Sequence, residues 1–153
     1  MTIRVQYKRF DIAQLTADLH ARNPQVGALV TFIGYVRDLN IGQPVRELFL
    51  EHYPGMTEKA LEQIAAQARE RWPLLGVEIV HRVGALAVSE PIVFVGVSSQ
   101  HRQVAFAACA FIMDLLKTRA PFWKRETTPA GSHWVDARQS DQDAALRWSL
   151  APT

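Results

Sequence analysis

Apolar positions along the chain change period several times, and each change predicts an element. Ile3, Val5 and Tyr7 alternate with polar residues, the period of a half-buried strand. Asp11 stands as an N-cap before Ile12, Leu15 and Leu19 at helical spacing, and Asn23-Pro24 closes that helix. Residues 26–36, VGALVTFIGYV, are β-rich and almost continuously apolar, which predicts a buried strand. Residues 37–44, RDLNIGQP, have loop composition. Val45, Leu48, Leu50 and Tyr53 predict a strand with an irregularity, turned by Pro54-Gly55. Thr57 reads as the cap of a helix carrying Leu61, Ile64 and Ala68, which Pro73 follows. Residues 77–83 and 92–98 are two further strands. From His101 to Arg119 runs the longest helical pattern, with Val104, Ala108, Phe111 and Leu115 as its apolar stripe, and Pro121 stops it. Residues 122–127 form a strand, Pro129-Ala130-Gly131 a turn, and Trp134-Val135 the returning strand. Beyond Gln139 the tail is polar. The order β-α-β-β-α-β-β-α-β-β predicts an α+β fold in one domain spanning 1–153.

Composition changes this picture little. With 48% apolar and 21% charged residues the chain has material for a core. Its 17 basic and 15 acidic residues leave a net charge of +2, which argues against a broad nucleic-acid surface. Cys109 is alone, so no internal disulfide forms, and its place between Ala108 and Ala110 predicts a packing role. The N-terminus lacks a signal-peptide core and no apolar run reaches a membrane span, so a cytoplasmic location is expected. The five histidines are scattered without metal-ligand spacing, so no metal site is expected, and no glycine-rich phosphate loop is present.

Three groups are candidates for chemistry. Lys117 and Lys124 bracket Ala120-Pro121, one in a last helical turn and the other on the next strand. A lysine in a last turn ordinarily complements the helix dipole. Here, however, Lys124 lies among Phe122, Trp123, Arg125 and Glu126, where apolar neighbours are expected to desolvate the amine and prime it as base or nucleophile. His101-Arg102 opens the long helix, where free N–H groups favour an anion. Arg37 follows Tyr35-Val36 at a strand end, a common place for ligand groups.

Three strings carry a resemblance to a known family: EHYPGMTEKAL (51–61), IVFVGVSSQHR (92–102) and FIMDLLKTRAPFWKRE (111–126), with GSHWVDAR behind them. They resemble the large subunit of molybdopterin synthase from about Gly27 to Trp148, while residues 1–25 carry little of the likeness. The resemblance implies an α/β hammerhead fold with an additional antiparallel β-subdomain. It implies a reaction in molybdenum cofactor biosynthesis, in which cyclic pyranopterin monophosphate (precursor Z) receives two sulfurs to become molybdopterin. Sulfur would come from the C-terminal thiocarboxylate of a small ubiquitin-like sulfur-carrier subunit, with no cofactor of the chain's own. Two large subunits would form a central homodimer in a heterotetramer. The resemblance places the catalytic lysines at Lys117 and Lys124. It places substrate binding at Tyr35, Val36, Arg37, His101, Arg102, Lys117, Lys124, Arg125 and Glu126. Tyr35 stands where some relatives are expected to be basic, which leaves the charge to Arg37.

Helical geometry adds a constraint. At 1.5 Å per residue, His101 and Lys117 lie ~24 Å apart on a straight helix, too far for one small pterin. Either the helix is broken or the phosphate site and the lysines come from different subunits, with His101 and Arg102 of one chain facing Lys117 and Lys124 of the other. The second is the expectation. Two other classes compete: a non-catalytic dimeric anion-binding scaffold of the same fold, and an RNA-binding domain using Lys117, Arg119, Lys124 and Arg125 with Trp123. The retained lysines weigh against the first and the balanced charge against the second.

Overall fold

The computed structural model describes residues 2–40, 43–44, 47–128, 131–135 and 139–149, with the backbone alone at 39–40, 43–44, 125–128, 131–135 and 139–140. In chain order the elements are β1 (Thr2–Gln6), α1 (Ile12–Ala21), β2 (Ala28–Tyr35), β3 (Leu39–Asn40), β4 (Gln43–Pro44), β5 (Glu47–His52) and α2 (Met56–Arg71). There follow β6 (Gly76–Arg82), β7 (Gly84–Ala87), β8 (Pro91–Ser99), α3 (Arg102–Arg119), β9 (Phe122–Thr128), β10 (Gly131–Val135), α4 (Gln139–Leu146) and a 3-10 turn, Arg147–Ser149.

A first sheet has the order β1-β6-β8-β2, with β1 parallel to β6 and the other pairs antiparallel. Strand alternation sends Val77 and Ile79 of β6, and Val93, Val95 and Val97 of β8, to one face. There they pack against Leu61, Ile64 and Ala68 of α2 and Ala108, Phe111, Ile112 and Leu115 of α3. Val80 and Phe94 face the other way, under Leu15 of α1. That helix starts where Asp11 accepts a hydrogen bond from the Gln14 amide at 3.0 Å. It lies close on the sheet because Gly96 has no side chain: a Cβ there would meet Leu19 Cδ2 at 2.8 Å. Both faces of β8 are thus covered, which is why it reads as one apolar run.

The equally apolar β2 proves different. It is the edge strand of the sheet, and Phe32 and Tyr35 are exposed. Apolar content alone does not separate a central strand from an edge that awaits a cover, so the expected burial is not met in the single chain.

A second, wholly antiparallel sheet has the order β10-β9-β5-β7 and closes over Val36, Leu48, Leu50, Val83 and Leu86. It is the expected antiparallel subdomain, and the fold is α+β as the element order predicted. Short pieces escaped the sequence reading. β7 is four residues of Gly, Ala and Leu without strand propensity, and β3 pairs with β4 inside the segment of loop composition.

Two local expectations are corrected or filled in. The N-cap of α2 is Gly55, at φ 86°, with the Glu58 carboxylate accepting its N–H at 2.7 Å. Thr57 lies inside the helix and is fully buried. The tail forms α4 and packs on α3: Trp148 sits edge-on to Trp72 and Phe111 and donates to the Asp114 carboxylate at 2.6 Å. Cys109 is buried in the core, and burial pushes its thiol up to about 11. Among the described residues no helix is long and apolar enough to cross a membrane.

Candidate functional site

Helix α3 is unbroken from Arg102 to Arg119, with His101 as its N-cap in extended conformation. The ~24 Å separation of His101 from Lys117 along its axis therefore stands, and the broken-helix alternative falls. At the C-terminal end the Ala120 N–H bonds back to Leu116, Pro121 denies the next helical donor, and the chain turns into β9. Lys117 lies in the last turn and Lys124 on the strand, opposite Leu50 of β5 and Val135 of β10.

Both lysines are exposed. The expected desolvation of Lys124 by its aromatic neighbours is not met in the single chain, because those rings are occupied elsewhere. Phe122 stacks on His81, ring centroids 3.9 Å apart, and Trp123 stands edge-on to Tyr53 at 4.4 Å.

The corner between the lysines is held by the segment that opens α2. The Thr57 hydroxyl accepts from the Tyr53 amide at 3.0 Å and donates to the Pro121 carbonyl at 3.1 Å. His52, paired in register with Phe122, lies 3.7 Å from the Glu58 carboxylate. The EHYPGMTE string thus serves the lysine corner structurally although it is remote in sequence.

Beneath the corner lies His81, a residue the sequence reading passed over as one of several scattered histidines. It is buried at the end of β6, on the face that carries Val77 and Ile79. Its Nδ1–H donates to the Arg82 carbonyl at 2.8 Å. Burial drives its pKa down to about 3. The hydrogen bond to Arg82 opposes this, and the nearby charges of Lys117, Lys124 and His52 reinforce it. The ring is thus neutral, and both lysines act on it from nearby. Nothing in the sequence signals this, since Lys117, Lys124 and His81 come near one another only through the packing of α3 on the first sheet and the stacking of Phe122 on His81. Arg82 points to the opposite face, where it donates to Tyr7, Glu90 and Pro91 and serves the scaffold.

Strand register decides where Arg37 belongs. Tyr35 pairs with Pro91, and Val36 is buried and bonds through its backbone to Glu90 and Ser89, all at the start of β8. His81 pairs with Val93, also near that start. Arg37 follows directly, exposed, at the end of the molecule that holds the two lysines. His101 and Arg102 follow Ser99, at the far end of β8. From Pro91 to Ser99 is about 26 Å at ~3.3 Å per residue. In a single chain Tyr35, Val36 and Arg37 therefore lie toward the end of the first sheet where α3 finishes, and His101-Arg102 lies toward the other end. Of Arg125 and Glu126 the backbone is described, with Arg125 opposite Phe49 and Glu126 opposite Leu48, continuing β9 away from the corner. Among the described residues no three His, Cys, Asp or Glu side chains converge as a metal site would need.

The MoaE protein family matches residues 5–119. The chain is 62% identical over 148 residues to the molybdopterin synthase catalytic subunit of Pseudomonas aeruginosa, covering 97% of this chain and 99% of that one. The chain belongs to the MoaE family. Among solved structures it is similar to the MoaE protein of Burkholderia ambifaria, with a TM-score of 0.84 at 56% identity, covering 97% of this chain and 98% of that chain. It is also similar to the molybdopterin synthase of Staphylococcus aureus, with a TM-score of 0.81 at 34% identity, covering 86% of this chain and 95% of that chain. As a MoaE protein it is an enzyme, with curated relatives named as catalytic subunits over nearly their whole length.

Proposed function

We propose that the chain, as one domain spanning 1–153, is the catalytic subunit of a molybdopterin synthase. It converts cyclic pyranopterin monophosphate to molybdopterin with two sulfurs from the C-terminal thiocarboxylate of a small ubiquitin-like partner. Near-complete coverage in both directions at 62% identity to a catalytic subunit carries this reading. The geometry supports it. A phosphate-bearing substrate and an anionic thiocarboxylate both need positive charge, and Arg37, Lys117 and Lys124 supply it at one end of the molecule.

Lys117 and Lys124 carry the chemistry. One or both assist attack of the thiocarboxylate sulfur on the pterin side chain and the later hydrolytic release of the partner. Tyr35, Val36 and Arg37 hold substrate beside them, and Arg125 and Glu126 extend the binding surface along β9 from Lys124. His101 and Arg102 hold the phosphate from a second copy of the chain, because α3 and β8 keep them at the far end of their own. Exposed Phe32 and Tyr35 on edge strand β2 are consistent with cover by that copy. Two such chains form the central dimer of a heterotetramer in the cytoplasm, with one small subunit at each end.

Replacing Lys117 or Lys124 by Ala in the assembled enzyme tests the reading. Single-turnover product formation falls by about 10²- to 10⁴-fold, the range for loss of a group that moves protons or stabilises charge in the transition state. Wild-type rates in both variants would replace it with a non-catalytic anion-binding scaffold.

A further inference from the structure

We propose that His81 is a positioning residue for the two lysines: a buried ring that sets the spacing of Lys117 and Lys124 across the Ala120-Pro121 corner. This rests on the reading of those lysines as the reactive groups.

Two contacts and one electrostatic effect support the role. His81 is fixed at one edge, since Nδ1–H donates to the Arg82 carbonyl at 2.8 Å and so assigns the proton to Nδ1 and the lone pair to Nε2. It is fixed on one face, since Phe122 stacks on it at 3.9 Å and 20°. Phe122 is the first residue of β9, two before Lys124, so the stack sets where that strand begins. The third constraint is electrostatic. The charges of Lys117 and Lys124 both reach the ring, and each opposes a proton on it. A charged group here would push both ammonium groups away. A neutral imidazole places no charge beside them and keeps its lone pair on Nε2. Histidine alone among the side chains offers stacking, an N–H donor and a lone pair without charge.

An aromatic ring without nitrogen separates packing from positioning. In single-turnover assays of the assembled enzyme, with thiocarboxylated small subunit in excess and pterin concentration varied, His81→Phe keeps the stack and loses both polar functions. Its maximal rate falls on the order of 10²-fold, the effect of displacing a reacting group by about 1 Å. The concentration for half-maximal rate stays within about twofold, the pattern of an interaction used in the transition state. His81→Asn, which returns a donor near Nδ1, recovers about tenfold of the loss. A His81→Phe enzyme at wild-type rate, a loss confined to the half-maximal concentration, or an Asn variant no faster than Phe overturns the inference. Lys117→Ala and Lys124→Ala run alongside. If they react normally, the reading of the lysines fails; if they do not while His81→Phe does, only the positioning role fails. Should His81→Phe not fold, nitrogen NMR of the wild-type ring decides. The Nδ1–H tautomer, held neutral from about pH 5 to 8, sustains the proposal. An imidazolium or an Nε2–H tautomer in that range overturns it.

Discussion

At its C-terminal end α3 runs into a corner that three residues of two remote segments hold: Thr57 on Pro121 and Tyr53 on Trp123, from the turn into α2, and His81 of β6 on Phe122. At its N-terminal end hydrogen bonds fix the turn before the helix and leave the side chains of its first residues outward. The Ser99 hydroxyl donates to the His101 carbonyl at 2.6 Å, and Gln100 meets Gln25. The side chains of His101 and Arg102 are exposed, with no hydrogen bond or ion pair among the described residues. One end of the helix is therefore finished within the chain, while the other presents charge outward. Reacting groups need fixed geometry, whereas charges that capture a phosphate tolerate being completed by a partner.

Breaking that contrast most directly means asking which chain each end serves. In a mixed dimer of one His101→Ala chain and one Lys117→Ala chain, shared sites leave one site intact and one doubly defective. Activity is then about half that of wild type, as two-fold symmetry requires. If each chain carried its own complete site, both would be damaged and the mixed dimer would be near zero. Tagging the two chains differently and purifying the heterodimer gives the measurement.

A smaller effect separates binding from building. Arg102→Ala removes a charged donor that holds nothing else in place, so it raises the substrate concentration for half-maximal rate by about tenfold or more. Its stability stays within about 0.5 kcal/mol of wild type, as for other surface changes. Arg37→Ala behaves likewise, because the anchoring of that strand end falls to buried Val36. Substrate titrations beside urea unfolding check both. A large loss of stability in either variant would mean that the arginine serves the scaffold.

How much of this was legible in the sequence follows from the physics of each signal. Helix α3 and strand β8 were readable because a buried stripe or a doubly covered strand leaves its period in the residues. Lys117 and Lys124 stand out in the sequence because they flank a helix stop, which the structure places at Ala120-Pro121. β2 was misjudged since an edge strand awaiting a neighbour is as apolar as a central one. The place of Arg37 in the fold was not readable because antiparallel register, which sets it near the start of β8, is a property of pairing rather than of composition. His81 and Thr57 were missed or misassigned for one reason: their partners lie 41 and 64 residues away, at Phe122 and Pro121.

Thr57 offers the finest test of the finished end. Its hydroxyl both accepts from Tyr53 and donates to Pro121, so one oxygen ties the β5–α2 turn to the α3–β9 corner. Thr57→Val keeps shape and burial and removes only that oxygen, leaving a part-buried N–H and a part-buried carbonyl without a partner. The expected cost is about 1–3 kcal/mol, read from urea unfolding. Thr57→Ser returns the oxygen and recovers most of it. If the site depended on α3 alone, the valine enzyme would be less stable yet react at the wild-type rate. If the corner must be held for the lysines to act together, its single-turnover rate falls as well, at a substrate concentration that saturates both. The same measurement on Arg102→Ala gives the opposite pair of results, with stability kept and binding lost. A Thr57→Val chain as stable as wild type would mean that water satisfies both groups and that the corner stands without its tie.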